Sequence, residues 1–259
     1  MNQTIAIIGI GEMGAVFAKG FLRCAYPVYP ITRSLSLFDA AAQRPEPVLV
    51  LVAVAEKDLP TILSGIPEGW RDRICLLQNE LLPGDWKRYH IISPTVISVW
   101  FEKKKGQDIK VLIPSPVYGP QVDIIVDALA SLDIPCRVLA DEEELLLQLV
   151  LKNLFILTLN IAGLKTGGTV ADLWLKNNAL ARSVAHEIIE LQEWIVQSEL
   201  PRERLIADLE KAIHADLKHK CVGRSAAARL GRAIKIADKA GIAVPQIREI
   251  HTRLSQKNS

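Results

Sequence analysis

The chain has 259 residues, of which 49% are hydrophobic and 23% are charged, as in a globular protein with one large or two modest domains. Its 31 lysine and arginine residues nearly balance its 29 acidic residues, so the net charge is only +2. This balance gives no general attraction to nucleic acid or to an anionic membrane, and neither is expected as a partner.

The cysteines and the amino terminus indicate an intracellular setting. Cys24, Cys75, Cys136 and Cys221 form no C-x-x-C pair, which predicts reduced structural thiols and argues against a disulfide framework or a zinc ribbon. The first four residues carry no basic region and lead directly into an apolar, strand-like run, so no signal peptide is indicated. We therefore expect a cytoplasmic protein.

The first half of the chain alternates apolar runs with helical segments. Nearly continuous Val, Ile and Leu indicate strands that are covered on both faces, as in a parallel sheet. The strands are expected to form one doubly wound, mostly parallel sheet, with a helix before the last of them. They are predicted at 4–10, 28–32, 48–53, 74–77, 91–100, 109–113 and 136–139, and the helix at 122–132.

Beyond residue 140 the pattern changes, because no convincing strand signal occurs there. Glycine and proline positions divide this half into five predicted helices. The sequence thus predicts an α/β protein with an N-terminal sheet domain, residues 1–140, and an all-helical C-terminal domain, residues 141–259. The helices are predicted at 142–164, 170–197, 201–218, 225–240 and 246–254.

One predicted helix has an unusual composition. Residues 145–164 are apolar over nearly the ~20 residues that a bilayer requires. Gln148, Lys152 and Asn160, however, are separated by multiples of four residues, so a helix would carry them as one polar stripe. This pattern indicates a buried helix that lines a polar cleft, and it argues against a membrane span.

A glycine-rich segment follows the first predicted strand and opens a helical run. Its G-x-G-x-x-G spacing, in this context, is typical of a Rossmann dinucleotide-binding turn. The first glycine permits the turn, the second lets the backbone approach a pyrophosphate at the helix N-terminus, and the third allows close packing of helix on strand. The predicted cofactor loop consists of Gly9, Ile10, Gly11, Glu12, Met13 and Gly14.

The end of the second predicted strand indicates which dinucleotide is bound. NAD sites place Asp or Glu about 20 residues after the glycine turn, to hold the ribose hydroxyls. Here Thr32, Arg33 and Ser34 occupy this place, and the first acid after them is Asp39. Arg33, with a hydroxyl of Thr32 or Ser34, can bind a 2′-phosphate, although a solvated loop arginine is the alternative. NADPH is therefore the expected cofactor.

These features together resemble the ketopantoate reductase family, which reduces 2-dehydropantoate with NADPH and belongs to the broader group of 6-phosphogluconate-dehydrogenase-like proteins. Residues 77–79, Leu-Gln-Asn, resemble the start of the family's Q-N-G turn, and residues 152–160 resemble its K-x-x-x-N-x-x-x-N helix. Gly231 and residues 239–245 are similar to its closing helix and turn. The resemblance implies that Lys152 is the general acid, that Asn160 binds substrate, and that Asn79 lies between cofactor and substrate.

The sequence also departs from the family pattern at four positions. Ile156 stands where the family has the middle Asn of the helix, and Val170 stands about where another Asn is expected. Glu80 replaces the Gly of the Q-N-G turn, and Ser225 falls on the position of the family's active-site Glu. These departures put 2-dehydropantoate itself in question as the substrate.

The glycine loop has a second resemblance. Residues 8–14, Ile-Gly-Ile-Gly-Glu-Met-Gly, are similar to the opening of β-hydroxyacid dehydrogenases and imine reductases. Those families place the catalytic Lys in a G-x-x-x-K-x-x-N-N segment, which Gln148 and Phe155-Ile156 match poorly. A dehydrogenase of this second kind remains an alternative to a ketopantoate reductase.

The chemistry of ketone reduction suits a lysine in an apolar helix. Hydride transfer builds negative charge on the carbonyl oxygen, which a nearby cation can stabilise and protonate. Burial among apolar residues would lower the pKa of Lys152, although its side chain could instead extend into solvent. Asn160 lies two turns along the same face, about 12 Å away. It is predicted to grip the substrate, or alternatively to bond neighbouring backbone as a buried Asn.

Other polar residues receive simpler interpretations. His214, His219 and Cys221 lack the spacing of a metal site, and the three lysines 103–105 are expected at an exposed hairpin tip. An anion site that uses Lys220 or Arg224 is an open guess. Arg229, Arg232, Lys235 and Lys239 are predicted to form a solvated helix face.

Two hypotheses follow from the sequence. The first is an NADPH-dependent reductase of a small keto acid, and the second is an NADP(H)-binding sensor or accessory protein without turnover. Ile156, Val170 and Ser225 favour the second hypothesis. A homodimer is expected if the helical domain exposes an apolar face.

Overall fold

The structure, a computed structural model, describes residues 3–257. It divides into two compact units, Met1–Leu149 and Val150–Ser259. One long helix, Glu142–Thr166, begins in the first unit and ends in the second. The domain boundary predicted at residue 140 lies immediately before this helix.

Nine strands occur among the described residues, all of them in the first unit. They are β1 (Ile5–Ile8), β2 (Val28–Ile31), β3 (Leu49–Val52), β4 (Ile74–Leu76), β5 (Thr95–Ile97), β6 (Phe101–Glu102), β7 (Lys110–Val111), β8 (Ser115–Tyr118) and β9 (Cys136–Val138). Seven of them form a sheet in the order β2-β1-β3-β4-β5-β8-β9. All neighbours are parallel except β5 and β8. The predicted α/β class with a mostly parallel, doubly wound sheet is therefore confirmed.

Eleven α-helices complete the described chain. The first unit contains α1 (Glu12–Arg23), α2 (Leu37–Gln43), α3 (Leu59–Ser64), α4 (Gly84–Lys87) and α5 (Val122–Ala130), together with short 3-10 turns at Glu56–Asp58 and Glu68–Arg73. Then follow α6 (Glu142–Thr166), α7 (Val170–Lys176), α8 (Asn178–Val196), α9 (Arg202–His214), α10 (Ala226–Ala240) and α11 (Pro245–Lys257).

The core of the first unit explains its sequence pattern. All four residues of β1 and of β3 are buried, as expected for central strands with both faces covered. Helix α1 packs the rings of Phe17 and Phe21 into this core, with their centroids 6.2 Å apart. A Cβ on Gly20 would lie 2.5 Å from the Ala128 carbonyl oxygen. The bare glycine thus allows α1 and α5 to pack closely.

Three sequence predictions about the sheet are wrong. Residues 109–113 do not extend the main sheet, because β7 pairs antiparallel with β6 in a separate two-stranded sheet. The strand predicted at 91–100 is reduced to β5. Strand β8 was not predicted, because Ser115 and Pro116 interrupt the apolar pattern that marks the other strands. The three lysines 103–105 do lie in the connection between β6 and β7.

Helix α6 lies mostly in the second unit and is largely buried. It is long and apolar enough to cross a membrane by composition, but 78% of its most apolar window is buried within the protein. Such burial is typical of a core helix, as the polar stripe on its sequence predicts.

The prediction of a single helix at 170–197 is wrong. This segment forms two helices, α7 and α8, which are divided at Asn177. The amide nitrogen of Asn177 donates to the Asp172 carbonyl at 3.0 Å, so its side chain competes with the backbone for helical hydrogen bonds. Helix α7 begins with a capping box, in which the Thr169 hydroxyl and the Asp172 carboxylate each accept the other's backbone N–H.

Candidate functional site

The glycine turn after β1 is held in place by its own chain and by β3. Gly9 has φ 94°, and a Cβ there would lie 2.8 Å from the Ala53 carbonyl oxygen. A Cβ on Gly14 would lie 2.1 Å from the Gly9 carbonyl oxygen. Both positions therefore require glycine for reasons internal to the protein: the first for a left-handed turn, the second for the contact between α1 and the turn.

Gly11 differs from these two glycines. It has φ −81° and ψ −167°, which any residue can adopt, and no atom lies within 4 Å of a Cβ built on it. The side chain that is missing here would point into open space in front of the N-terminus of α1. A bare backbone at a helix N-terminus is what a pyrophosphate needs for close approach. These residues therefore fit a dinucleotide.

The rest of the loop surrounds this opening. Ile10 and Glu12 are exposed, whereas Met13 packs against the core of the sheet. The loop lies at the carboxyl end of β1, beside β3, where the order of the strands changes direction. Ligands of open α/β sheets bind at such a switch point. The carboxylate of Glu12, in the first turn of α1, would repel a phosphate.

Arg33 follows β2 and extends into solvent, with 97% of its side chain exposed. Its Nη2 lies 3.9 Å from the Asp58 carboxylate, a long and exposed ion pair that contributes little stability. The hydroxyls of Thr32 and Ser34 are hydrogen-bonded to each other at 2.9 Å. Two hydroxyls and one exposed guanidinium thus lie at the end of β2, a set of donors that fits a 2′-phosphate.

Asn79 lies in an exposed turn after β4, at the same edge of the sheet as the glycine loop. The residue before it anchors this turn, because the buried Gln78 donates from Nε2 to the Val52 carbonyl at 2.6 Å. Glu80 has φ 60°, the left-handed region that favours glycine. The third residue of this turn therefore has a backbone conformation that favours glycine, although it is Glu.

Lys152 is half-buried on α6, and most residues around it on this helix are buried and apolar. Its Nζ lies 5.9 Å from the centroid of the Phe155 ring, within the range of a cation–π contact. The next residue, Asn153, faces the helical core and donates to Gln192 Oε1 at 3.1 Å. The lysine is thus the residue of this helical turn that combines charge with partial exposure.

Asn160 is 8% exposed and uses both ends of its amide within the protein. Its Nδ2 donates to the Cys221 carbonyl at 3.2 Å, and its Oδ1 accepts from Arg229 Nη1 at 3.0 Å. The geometry corresponds to the alternative interpretation of this residue, a buried Asn that bonds neighbouring backbone. It also links α6 to the loop before α10 and to α10 itself.

Arg229 was predicted on a solvated helix face, and this prediction is wrong, because the residue is only 8% exposed. It falls three residues after the buried Ala226 and four before the buried Ala233, on the apolar face of α10. This spacing is the signal that could have identified it. The other three residues of the predicted face, Arg232, Lys235 and Lys239, are exposed.

Two of the four positions that depart from the family pattern are packing positions. Ile156 and Val170 are buried among the apolar residues of the helical unit. Ser225 directly precedes α10, and its carbonyl accepts the backbone N–H of Arg229 at 2.9 Å. At Ile156 and Val170 the protein therefore has an apolar contact in place of the Asn that the family pattern would supply.

No group of three metal-binding side chains occurs within residues 3–257. His219 lies beside Asp216, with Nδ1 3.6 Å from the carboxylate. Cys221 is buried, and burial, with the nearby Asp172 carboxylate, raises its pKa to about 11, so it is a neutral thiol. All four cysteines are free.

No protein-family model and no curated protein matches this sequence. Solved structures do match it over nearly its whole length. A probable 2-dehydropantoate 2-reductase from Bacillus subtilis has 17% identity and a TM-score of 0.67, covering 98% of this chain and 99% of that chain. D-mandelate dehydrogenase in complex with NADH has 13% identity and a TM-score of 0.66, covering 98% of each chain.

A dimeric ketopantoate reductase from Staphylococcus aureus is also similar, with 15% identity and a TM-score of 0.65, covering 98% of this chain and 99% of that chain. Identities of this size establish a shared fold. The resemblance that the sequence motifs indicate is therefore confirmed at the level of architecture: this chain has the fold of the 2-dehydropantoate 2-reductases.

Proposed function

We propose that this protein is an NADPH-dependent oxidoreductase that reduces a small 2-keto acid or a related carbonyl compound, in the manner of a 2-dehydropantoate 2-reductase. The observation that carries the proposal is the open space in front of Gly11, at the switch point of a doubly wound sheet. Packing does not require glycine there, whereas a bound pyrophosphate would.

The preference for NADPH rests on the residues after β2. A 2′-phosphate carries about two negative charges. To bind it, Arg33 would lose only its long ion pair with Asp58. Thr32 and Ser34 supply hydroxyl donors beside it. In this proposal Asp58 weakens the preference, because its carboxylate competes with the phosphate for the same guanidinium.

Each candidate residue has a separate task in the proposed reaction. Bound NADPH supplies the hydride. Lys152 stabilises the negative charge that develops on the carbonyl oxygen and donates the proton that completes the alcohol. Asn79, in its exposed turn, orients the nicotinamide and the substrate, and its position is set by the buried Gln78.

A protein that binds NADP(H) without turnover is the second candidate. The amide of Asn160 favours it, because both of its ends already bond to the protein. Ser225 also favours it, because a serine cannot act as the carboxylate that the family resemblance places there.

The deciding experiment uses the purified full-length chain. NADPH binding is measured by calorimetry, and oxidation of NADPH is followed at 340 nm against a panel of 2-keto acids, including 2-dehydropantoate, together with aromatic keto acids and imines. Turnover of a keto acid supports the reductase. Tight NADPH binding without turnover of any compound supports the sensor, and failure to bind either dinucleotide contradicts both.

The proposal includes a cytoplasmic location and a homodimer. Leu175 and Val222 expose apolar side chains on the helical unit, at 63% and 41%. The structurally similar ketopantoate reductase from Staphylococcus aureus, which is dimeric, is the main support for the homodimer. Light scattering coupled to gel filtration gives the molar mass in solution, and a value near 28.6 kDa would contradict the dimer.

A further inference from the structure

We propose that a cavity at the edge of the sheet opposite the glycine loop is a second ligand site, which binds a small organic cation: a primary amine with an apolar body. The cavity has a volume of about 320 Å³, and all of its lining residues belong to the first unit. This volume is at the lower end of the range for small-molecule sites. The inference goes beyond the proposed reaction and does not depend on it.

The cavity lies where the strand direction of the sheet reverses. β1, β3, β4 and β5 are parallel, but β8 runs antiparallel to β5, and β9 is parallel to β8. The carboxyl ends of β8 and β9 therefore lie at the edge away from the glycine loop. Segments that follow these two ends line the cavity, together with the residues before β5. Ligands of open α/β sheets bind outside the carboxyl ends of parallel strands, which is the position of this cavity.

The wall between β5 and β8 is fixed by the protein itself. Gly119 has φ 127°, and a Cβ there would lie 2.5 Å from the Cα of Thr95, so glycine is needed for the turn after β8 to lie against the start of β5. The buried Thr95 hydroxyl donates to Gln121 Oε1 and accepts the Gln121 backbone N–H, both at 2.9 Å. This side of the cavity is thus formed before any ligand binds.

Three polar side chains line the cavity: the hydroxyls of Ser93 and Tyr118 and the carboxylate of Glu142. Within residues 3–257, none of the three makes a hydrogen bond or an ion pair. Glu142 stands in the first turn of α6 but is not needed as its cap, because Asp141 and Glu144 each accept a backbone N–H there, at 2.8 and 3.0 Å. All three groups are therefore available to a ligand.

The charge of the lining selects the ligand. Glu142 contributes a negative charge, and no Lys, Arg or His is among the described residues that line the cavity. Arg137 precedes the lining residue Val138, but side chains alternate along a strand, and its guanidinium pairs with Glu144. An anion would thus meet an unpaired carboxylate. A primary ammonium has three N–H donors, the same number as the oxygen groups here, and carries the complementary charge.

The apolar part of the lining indicates the rest of the ligand. Pro94, Pro120, Val122 and Val138 contribute apolar surface to the cavity. Val138 is 55% exposed although it lies in a strand. An apolar group bound in the cavity would remove part of this surface from water, which favours binding. A metal ion or a fully polar cation would leave it exposed.

The test compares three probes of similar size in calorimetric titrations of the full-length protein: 2-phenylethylamine, the neutral 2-phenylethanol and the anionic 3-phenylpropanoate. The amine is expected to bind with a Kd of about 1 mM or below, at least about fivefold more tightly than the alcohol, with the anion the weakest. Glu142→Gln should abolish the preference of amine over alcohol. Glu143→Gln, which removes the next carboxylate along α6 outside the lining, is the matched control and should change it less than about twofold.

Two further measurements locate the bound amine. Val138→Trp keeps the Glu142 carboxylate but fills the cavity, on an edge strand that accepts an aromatic residue, and should abolish amine binding. Saturating NADPH should leave the amine affinity unchanged, because the glycine loop lies at the other edge of the sheet. A protein that fails to bind NADPH contradicts the proposed function and leaves the other titrations intact.

Several results would overturn the amine site. These are no amine binding at about 10 mM, alcohol or anion binding as tight as that of the amine, and equal effects of Glu142→Gln and Glu143→Gln. Unchanged binding to Val138→Trp, or displacement of the amine by NADPH, would show that the amine binds elsewhere and would also overturn it.

Discussion

The glycine turn of the sheet unit and the polar cluster of the helical unit are built in different ways. The turn is specified mostly within residues 9–14, with distant contacts at Ile31, Ala53 and Val54. The cluster joins Asn160 to Cys221 and Arg229, which are 61 and 69 positions away along the chain. A site of the first kind can be identified from a short motif. A site of the second kind depends on which helix faces pack together, and one of its members was assigned to the wrong environment.

The two regions also use their distinctive residues differently. In the turn, two of three glycines satisfy the protein's own packing, and one leaves space for a ligand. In the helical unit, Asn153 and Asn160 make bonds within the protein, whereas Lys152 is partly exposed. Function in each region is therefore expected to reside in a residue that a ligand can reach: Gly11 in the turn and the partly exposed Lys152 on α6. The predictions below test this contrast, from the largest expected effect to the smallest.

The largest effect is expected at Lys152. If the protein reduces a keto acid, Lys152→Met should lower kcat by about 10² to 10⁴-fold, since Met keeps the packing volume but neither donates a proton nor stabilises an oxyanion. NADPH affinity and thermal stability should be retained, because a partly buried cation contributes little to folding. Stopped-flow kinetics and calorimetry give both quantities.

Lys165→Met is the matched control on the same helix. Lys165 pairs with Glu249 at 2.9 Å, so its loss should reduce stability slightly and leave kcat within about twofold. Equal loss of activity in both variants would show that helix α6, and not the Lys152 ammonium, is responsible.

A pair of glycine variants tests the contrast within the turn. Gly11→Val should bind NADPH about 100-fold or more weakly and keep the unfolding temperature of wild type, because its side chain meets only open space in the free protein. Gly14→Ala should destabilise the protein by about 1 to 3 kcal/mol or more, because its Cβ would overlap the Gly9 carbonyl. Wild-type affinity in a folded Gly11→Val variant would contradict the dinucleotide site.

The preference between the two nicotinamide cofactors should depend on Arg33. Its contact with a 2′-phosphate is expected to contribute roughly 1.5 to 3 kcal/mol, so Arg33→Ala should reduce the NADPH-to-NADH affinity ratio about 10- to 100-fold. Lys19→Ala removes another exposed cation, from α1, and serves as the control. A ratio near one in wild type would refute the assignment of NADPH.

A smaller effect, on stability alone, is expected at a second long-range contact of the helical unit. The buried Glu187 carboxylate on α8 accepts the backbone N–H groups of Gln246 and Ile247 at 2.8 and 2.9 Å, which caps α11. Glu187→Ala should lower the free energy of unfolding by about 1 to 3 kcal/mol. Glu190→Ala, which loses an exposed ion pair with Arg202, should cost less than about 1 kcal/mol.

The same residue gives a pH dependence with a definite sign. Burial raises the pKa of Glu187 above its ordinary value, more than the two N–H donors lower it. The folded protein therefore binds a proton more readily than the unfolded chain just above the ordinary pKa. As pH falls from 7 toward 5, urea denaturation should show wild type gaining stability relative to Glu187→Gln. A difference that is independent of pH would contradict the raised pKa.

The sheet was largely predictable because the amino-acid composition of buried central strands is distinctive. β1, β3 and β4 lie inside predicted segments, since strands covered on both faces need runs of apolar side chains. The edge strands β2 and β9 also lie inside predicted segments, although most of their residues are half-buried or exposed. The errors occur where this rule weakens. Residues 109–113 look like a strand of the main sheet, but a two-stranded hairpin has the same composition. β8 begins with Ser115 and Pro116, so its sequence lacks an apolar run, and its place is set by pairing with β5 and β9.

The helical unit was predictable in its extent but less so in its contacts. The helix predicted at 142–164 has nearly the same bounds as α6. A long apolar run with one polar stripe is compatible with few other structures. The break at Asn177 was missed, since it depends on one side chain bonding the preceding turn. Arg229 was placed in solvent because its charge was weighed above its position on the apolar face of α10.

By itself, the sequence determined the α/β class, the order of sheet and helices, and the glycine loop as the candidate cofactor site. These follow from local periodicity and from backbone conformations that only particular residues adopt. Only the tertiary structure decided that Gly11 faces open space, that Asn160 is bound at both ends, and that Arg229 is buried beside it. The physical reason is that burial and hydrogen-bond partners depend on residues distant in the chain, which periodicity along one segment does not encode.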